Sequence, residues 1–371
     1  MEELEDVLDD WFIESLKTYK DLYVYQLEFP SGATEWTSGD AVCVAGYSAF
    51  KNEILELRLP PRLLADANKG LCAERDFRVV HGGLTDAPVG CLRHIPGTRC
   101  VVTNDGRSSD LQVWSLGEDS DVIKRTGSVA GRRPVSAGGS RIAARRWSDA
   151  QVLHGATSAD VQLSQLTTGR RLFELGAASA DPLSSLQFLS DSVFLAGCSD
   201  GSIYVADVRA PSSPQVSPPP AWCRASAPWW TEASAGPDAC RILRVSSSGR
   251  TLVSDLRNLG GAVSAAQLDT GPGTCGGDDV RASWAPALRG LIAVSGWGGA
   301  VHIYDTSSWT AELQKVPPVF VHRGHAVSSQ PGDAVRVTSH LWHPERPRTL
   351  LSAGSDGSVH VWDWIDQSAV S

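Results

Sequence analysis

Apolar and polar residues alternate in short runs along this chain, and Gly, Asp, Asn or Ser bound most of those runs. A period of two sends alternate side chains to opposite faces, which predicts strands and not helices. The clearest unit spans residues 349–363. Leu350-Leu351-Ser352-Ala353-Gly354 leads to a tight turn at Asp356-Gly357 and then to Ser358-Val359-His360-Val361-Trp362-Asp363. Asp-Gly tolerates the positive φ of a short hairpin, and β-branched residues suit the pleated flanks. The ending of this unit recurs at 111–115, 161–164, 202–207, 251–255 and 301–305, and in a more degenerate form at 53–58. Successive endings lie 42 to 58 residues apart, room for four short strands and their loops. Seven such units predict an all-β ring of seven stacked sheets, a seven-bladed β-propeller.

The terminal Trp362-Asp363, the Asp356-Gly357 turn and the earlier Gly324-His325 resemble the WD40 class. The resemblance implies a hydrogen-bonded blade set of His, Ser or Thr, Asp and Trp. In the last blade His325, Ser352, Asp356 and Trp362 are its candidates, in a structural and not a catalytic role. The fourth blade retains Asp200-Gly201, whereas Gly298-Gly299 stands at that place in the sixth. The chain runs only eight residues past Asp363, so the last blade lacks an outer strand. The alternating stretch 22–29 is expected to supply it and close the ring, which removes an exposed edge.

Two segments break the repeat. Residues 4–19 carry Leu4, Val7, Leu8, Trp11, Phe12, Leu16 and Tyr19 at i, i+3, i+4 spacing, which predicts a short N-terminal amphipathic helix. The chain thus divides into an acidic helix over 1–20 and a WD40 propeller over 21–371. Glu2, Glu3, Glu5, Asp6, Asp9 and Asp10 precede Trp11 and Phe12. Asp9 and Asp10 could steer a partner while Trp11 and Phe12 supply contact area; packing on the propeller rim is the alternative. Residues 210–240 hold seven prolines and predict a long Pro/Ser/Trp-rich loop. Its Trp222, Trp229 and Trp230 are candidate partner anchors, unless they fold back onto the blade.

Composition narrows the function. Hydrophobic residues make up 42% and charged residues 20%, as in a globular protein. No apolar run reaches the ~18–20 residues of a membrane helix, and the acidic first ten residues are the opposite of a signal or transit peptide. A net charge of −9 argues against direct nucleic-acid binding. Seven basic residues between Val122 and Ser148 (Lys124, Arg125, Arg132, Arg133, Arg141, Arg145 and Arg146) are the local exception, read as a solvated loop and a guarded strand edge. The eight cysteines form no C-x-x-C pair, which leaves them as reduced thiols and not zinc ligands. His322-x-x-His325 and His340-x-x-His343 have metal-ligand spacing but no convincing third ligand. Neither a phosphate-binding G-x-x-x-x-G-K-[ST] loop nor a G-x-S-x-G elbow occurs. No catalytic residue, cofactor or metal is therefore expected.

Peptides outside the generic repeat are more specific. Residues 11–21, Gly46-Tyr47, 51–55, 68–71, 74–77, 81–83, 118–124, 283–286, 305–309 and 342–364 resemble the WD repeat-containing protein 73 branch of the class. Residues 125–180 and 210–280 match it little. The resemblance implies a non-enzymatic scaffold in the cytoplasm, monomeric before complex formation. It would bind and stabilise the paired metallo-β-lactamase-type endonuclease subunits of the Integrator complex, which serves snRNA processing. The alternative it implies is a cytoskeleton-associated adaptor in microtubule organisation, with tubulin or centrosomal proteins as partners. Spindle pole, cleavage furrow and a partly nuclear presence are the accompanying locations.

Overall fold

In the computed structural model, residues 11, 13–60, 76–117, 120–132, 139–145, 150–177, 179–210, 214–220, 227–234, 240–271, 280–327 and 335–365 are described. Their strands form seven sheets, antiparallel except for one added strand in the fifth. The first strand of each sheet touches the first strands of its two neighbours, and the circuit returns from Val337–Trp342 to Ser31–Trp36. The seven sheets are therefore blades of a closed propeller, with these first strands around the axis. Six of the seven recurrent endings fall in third strands: Asn52–Arg58, Leu111–Ser115, Ile203–Asp207, Arg250–Asp255, Val301–Asp305 and Ser358–Trp364. The remaining one, 161–164, meets the third strand Gln162–Gln165.

One apolar cluster fills each junction between blades. Leu195 and Ile203 of the fourth blade meet Ala233 and Ile242 of the fifth. Val42 and Val44 of the first meet Leu351 and Val359 of the seventh. A sheet with two apolar faces cannot bury them alone, so stacking in a ring is what removes them from water. Close approach at a junction also explains Gly197. A Cβ there would stand 2.5 Å from Thr231 Cβ, a contact that backbone must move to relieve. Gly197→Ala should cost about 1–3 kcal/mol by overpacking. Urea titration would check it, and an unchanged midpoint would show that the fourth and fifth blades can separate slightly without loss.

The ring closes with a strand from the other end of the chain. Tyr19–Gln26 pairs antiparallel with Ser358–Trp364, from Tyr19 opposite Trp364 to Gln26 opposite Ser358. The closing strand thus lies three residues earlier than the expected 22–29, and Tyr19 belongs to it and not to the helix. Leu27, just past its end, donates its N–H to the Gly357 carbonyl. Gly357 has φ +85, and a Cβ there would lie 2.7 Å from the Phe29 carbonyl oxygen, so this turn requires glycine. Helix is seen over 13–18. Residues 1–10 and Phe12, the rest of the expected helical segment, lie outside the described residues.

The expected loop over 210–240 is interrupted by two strands, a correction to the sequence reading. Gln215–Ser217 is the outer strand of the fourth blade, and Trp229–Ala233 is the innermost strand of the fifth. No proline falls within the sequence of either strand, so neither loses a ladder N–H. The fifth blade also carries an added strand, Gln314–Val316, parallel to Asn258–Leu268. Cys43 and Cys198 are buried free thiols, and burial pushes Cys198 up to about 12, which keeps it protonated. No helix among the described residues is long and apolar enough to cross a membrane.

Candidate functional site

The blade set is assembled in the last blade. Trp362 Nε1 donates to Ser352 Oγ at 3.1 Å, and Ser352 Oγ lies 2.8 Å from His325 Nε2. On the other side of the ring, His325 Nδ1 is 2.7 Å from Ser358 Oγ, which donates to Asp356 Oδ1 at 2.6 Å. These contacts determine the tautomer. Because Ser358 gives its proton to Asp356, it accepts from His325 Nδ1–H, and His325 Nε2 accepts from Ser352. The four candidates are joined, with Ser358 as a relay that sequence reading missed. Its place directly after the Asp-Gly turn was the available signal.

A second buried histidine group adjoins the first. Tyr19 Oη lies 2.7 Å from His322 Nδ1, and His322 Nε2 lies 3.0 Å from His360 Nδ1. His322, His325 and His360 are all buried, with one nitrogen from each inside 4.8 Å. His360 is thus the third imidazole that the His322-x-x-His325 spacing lacked. The orientation does not suit a metal. His325 and His360 stack at 3.9 Å with planes only 11° apart, whereas a ligated ion lies near ~2 Å in the plane of each ring. Both nitrogens of His325 already bond hydroxyls. Burial pushes His325 down to about 3 and His322 and His360 well below the usual imidazole range, so all three are neutral at pH 7.

Side chains of the inner strands stitch every junction of the ring. Arg93 Nη1 donates to Glu35 Oε2 at 2.8 Å and its Nε to the Ile142 carbonyl at 3.3 Å. Arg141 Nε donates to the Leu183 carbonyl, and Gln187 exchanges two bonds with Ala233. Trp230 Nε1 donates to the Ala282 carbonyl at 2.8 Å, and Trp342 Nε1 donates to the Ser283 carbonyl. Thr34 and Ser339 hydroxyls, 2.6 Å apart, complete the circuit. Arg281 stands 4.5 Å from the centroid of the Trp230 ring and Arg141 6.0 Å from it, which makes Trp230 a bracket between blades. Trp229 is buried at 5% exposure. Both tryptophans pack within the fifth blade and at its junctions, and neither offers a loop anchor. Trp222 lies outside the described residues.

The basic stretch is dispersed. Lys124 and Arg125 lie on an exposed outer strand, Arg132 pairs with Glu174 at 3.1 Å, and Arg141 is drawn to the axis. Arg145 donates to the Asp191 carbonyl and covers the Phe188 ring at 5.7 Å. Neighbours in sequence therefore do not form one positive patch; Arg133 and Arg146 lie outside the described residues.

The N-terminal helix presents a different surface. Ile13 is 54% and Leu16 68% exposed, while Ser15 turns inward and Trp11 is half-buried. The helix is tied to the other terminus by the Ile365 N–H, which donates to the Thr18 carbonyl. Apolar residues at i and i+3 thus face water directly after the acidic segment. Asp9, Asp10 and Phe12 lie outside the described residues.

No family model matches the chain. Its full-length relatives are informative. Integrator complex assembly factor WDR73 of Danio rerio is 44% identical over 98% of this chain and 98% of its own length. The protein of that name from Homo sapiens is 38% identical over 97% of this chain and 98% of its own, and the one from Xenopus laevis 38% over 95% and 97%. Identity of 35–44% over 95–98% of this chain shows the family: the chain belongs to that of Integrator complex assembly factor WDR73.

Proposed function

We propose that this protein is a non-enzymatic scaffold that assists assembly of the Integrator complex, acting in the cytoplasm by binding its paired endonuclease subunits. The observation that carries the reading is the full-length identity to relatives that bear the assembly-factor name. The histidines with ligand-like spacing support it, because His322 and His325 are bonded to Tyr19, His360, Ser352 and Ser358 and have no access to a substrate. The exposed Ile13 and Leu16 face provides a docking surface, with the propeller as its frame. Asp9 and Asp10, which precede it in the sequence, add long-range attraction for an electropositive nuclease surface.

Affinity purification of the full chain from cytosol tests the proposal. The endonuclease subunits should be recovered with the native protein, and the double variant Ile13→Asp, Leu16→Asp should recover at least about tenfold less, the effect of losing a contact hot spot. Its melting temperature should stay unchanged, since both side chains face water. Recovery of tubulin or centrosomal proteins without Integrator subunits would overturn the function. Equal recovery by the variant would move the docking surface elsewhere on the propeller.

A further inference from the structure

Ring closure rests on an unusual set of contacts. Tyr19, the first residue of the closing strand, packs edge-on against Phe320, His322 and Trp362 while its hydroxyl meets His322 Nδ1. His322 comes from the outer strand of the sixth blade and His360 from the third strand of the seventh. A neutral His322 donates on one ring nitrogen and accepts on the other, and so joins the Tyr19 hydroxyl to His360 Nδ1. His360 Nε2 is left buried without a partner. Each bond in this relay requires a neutral imidazole that accepts on one nitrogen.

We propose that the Tyr19–His322–His360 relay is an acid-sensitive latch on ring closure: a proton taken up by His322 releases Tyr19–Gln26 from Ser358–Trp364 and, with it, the helix over 13–18. That the release would also withdraw the Ile13 and Leu16 docking face rests on the function proposed above; the latch itself does not.

A proton taken up by His322 turns its accepting nitrogen into a second donor, so the bond accepted there is lost. It leaves a cation among buried groups that do not balance it. The facing groups are His325, Ser352, Ser358 and Trp362 from the last blade, Arg323 after His322, and Glu14 with Tyr19 from the N-terminal segment. Asp356 is the nearby carboxylate on the His360 side, and its Oδ1 already accepts from the Ser358 hydroxyl and N–H. Farther along the strand pair, Asp21 stands opposite Asp363, with Lys20 and Arg348 near it. Burial holds the Asp363 carboxyl up, and its protonation relieves repulsion from Asp21. That pair tightens as pH falls, so loosening belongs to the imidazoles.

Hydrogen exchange on the full chain between pH 7.5 and 5.0, expressed as protection relative to the unstructured rate, reads the latch directly. Protection of Tyr19–Gln26 should fall about tenfold per pH unit below ~6.5, one proton being taken up on opening, while Ala41–Tyr47 within the first blade keeps the higher protection at each pH. His322→Gln should retain strand protection at pH 7.5 and lose its pH dependence, because an amide can accept from one neighbour and donate to the other without titrating. His154→Gln, in the third blade, should leave the strand's response intact. Should His322→Gln not fold, Tyr19→Phe should lower strand protection about fivefold at pH 7.5 with the first blade unaffected. The latch is excluded if Tyr19–Gln26 and Ala41–Tyr47 lose protection together at every pH, if His322→Gln retains the native slope, or if Tyr19→Phe changes nothing.

Discussion

Replacement of Glu56 by Gln is expected to destabilise the fold by about 3–5 kcal/mol, the usual cost of breaking a buried ion pair from one side. Glu56 lies in the third strand of the first blade at 1% exposure and holds four side-chain bonds. Arg99 grips both of its oxygens, at 2.9 and 2.7 Å. Thr37 donates at 2.7 Å and His81 Nδ1 lies at 2.6 Å. Burial pushes the Glu56 carboxyl up, yet these bonds outweigh it and hold the group below the usual carboxylate range. A glutamine would turn an NH2 toward Arg99 or His81, where only an acceptor fits. With an unfolding entropy of ~2.1 cal/mol/K per residue, the loss should lower the melting temperature by about 4–6 °C. Arg257→Gln removes the exposed partner of Asp255 and serves as the comparison. Its melting temperature should match the native protein, since solvent screens that pair. Equal midpoints for Glu56→Gln and the native chain would mean that the first and second blades do not depend on this bond.

The other large effect is acid sensitivity of the whole fold. Burial pushes His154 and His340 down to about 4, with Arg281 adding to the effect at His340, and pushes His325 down to about 3. Each is neutral in the folded chain and takes a proton near pH 6.5 once unfolded. The unfolded state therefore binds more protons below pH 6.5, and stability present above that value is lost as pH falls toward 4. Glu232 acts in the opposite sense. Burial raises its carboxyl to about 7, so between pH 7 and 4.5 the folded chain holds a proton that the unfolded chain lacks. Three protons against one leave a slope of about 3 kcal/mol per pH unit, and His322 and His360 add to it in the same direction. Melting curves at constant ionic strength should show a steep fall from pH 6.5 to 5, shallower by about one proton in His154→Gln. A melting temperature constant from pH 7 to 5 would contradict the neutral burial of these rings.

The acid effect and the Glu56 effect arise from residues that were legible in the sequence to different degrees. Alternation and the Asp356-Gly357 turn are local properties, since side-chain direction has period two and only certain residues accept positive φ. The third strands of all seven blades and the sevenfold count follow from them, whereas the members of the last blade set came from the resemblance to the WD40 class. His325 was placed by its Gly-His dipeptide despite the long interval before Trp362. The N-terminal strand was foreseen as well, though its register was not. Alternation continues through 19–29, and the burial of Tyr19 against His322 and Trp362 decides which part of it pairs.

Other features depend on residues that only the ring brings together. Seven prolines obscured the strand Trp229–Ala233, whose alternation became meaningful once it paired with Arg241–Ser246. The third imidazole, His360, lies far along the chain from His322 and meets it across a blade junction. Glu56 finds Arg99 in the next blade. The basic run scatters because successive strands of a blade lie at different distances from the axis, so Arg141 reaches Trp230 while Lys124 faces water. By itself, the sequence determined the repeat, its strand endings, the turn chemistry and the charge balance, all set within a few residues. The tertiary structure decided strand register at the closure, the fate of the tryptophans, the imidazole relay and the exposed Ile13 and Leu16, because each depends on what the closed ring places opposite.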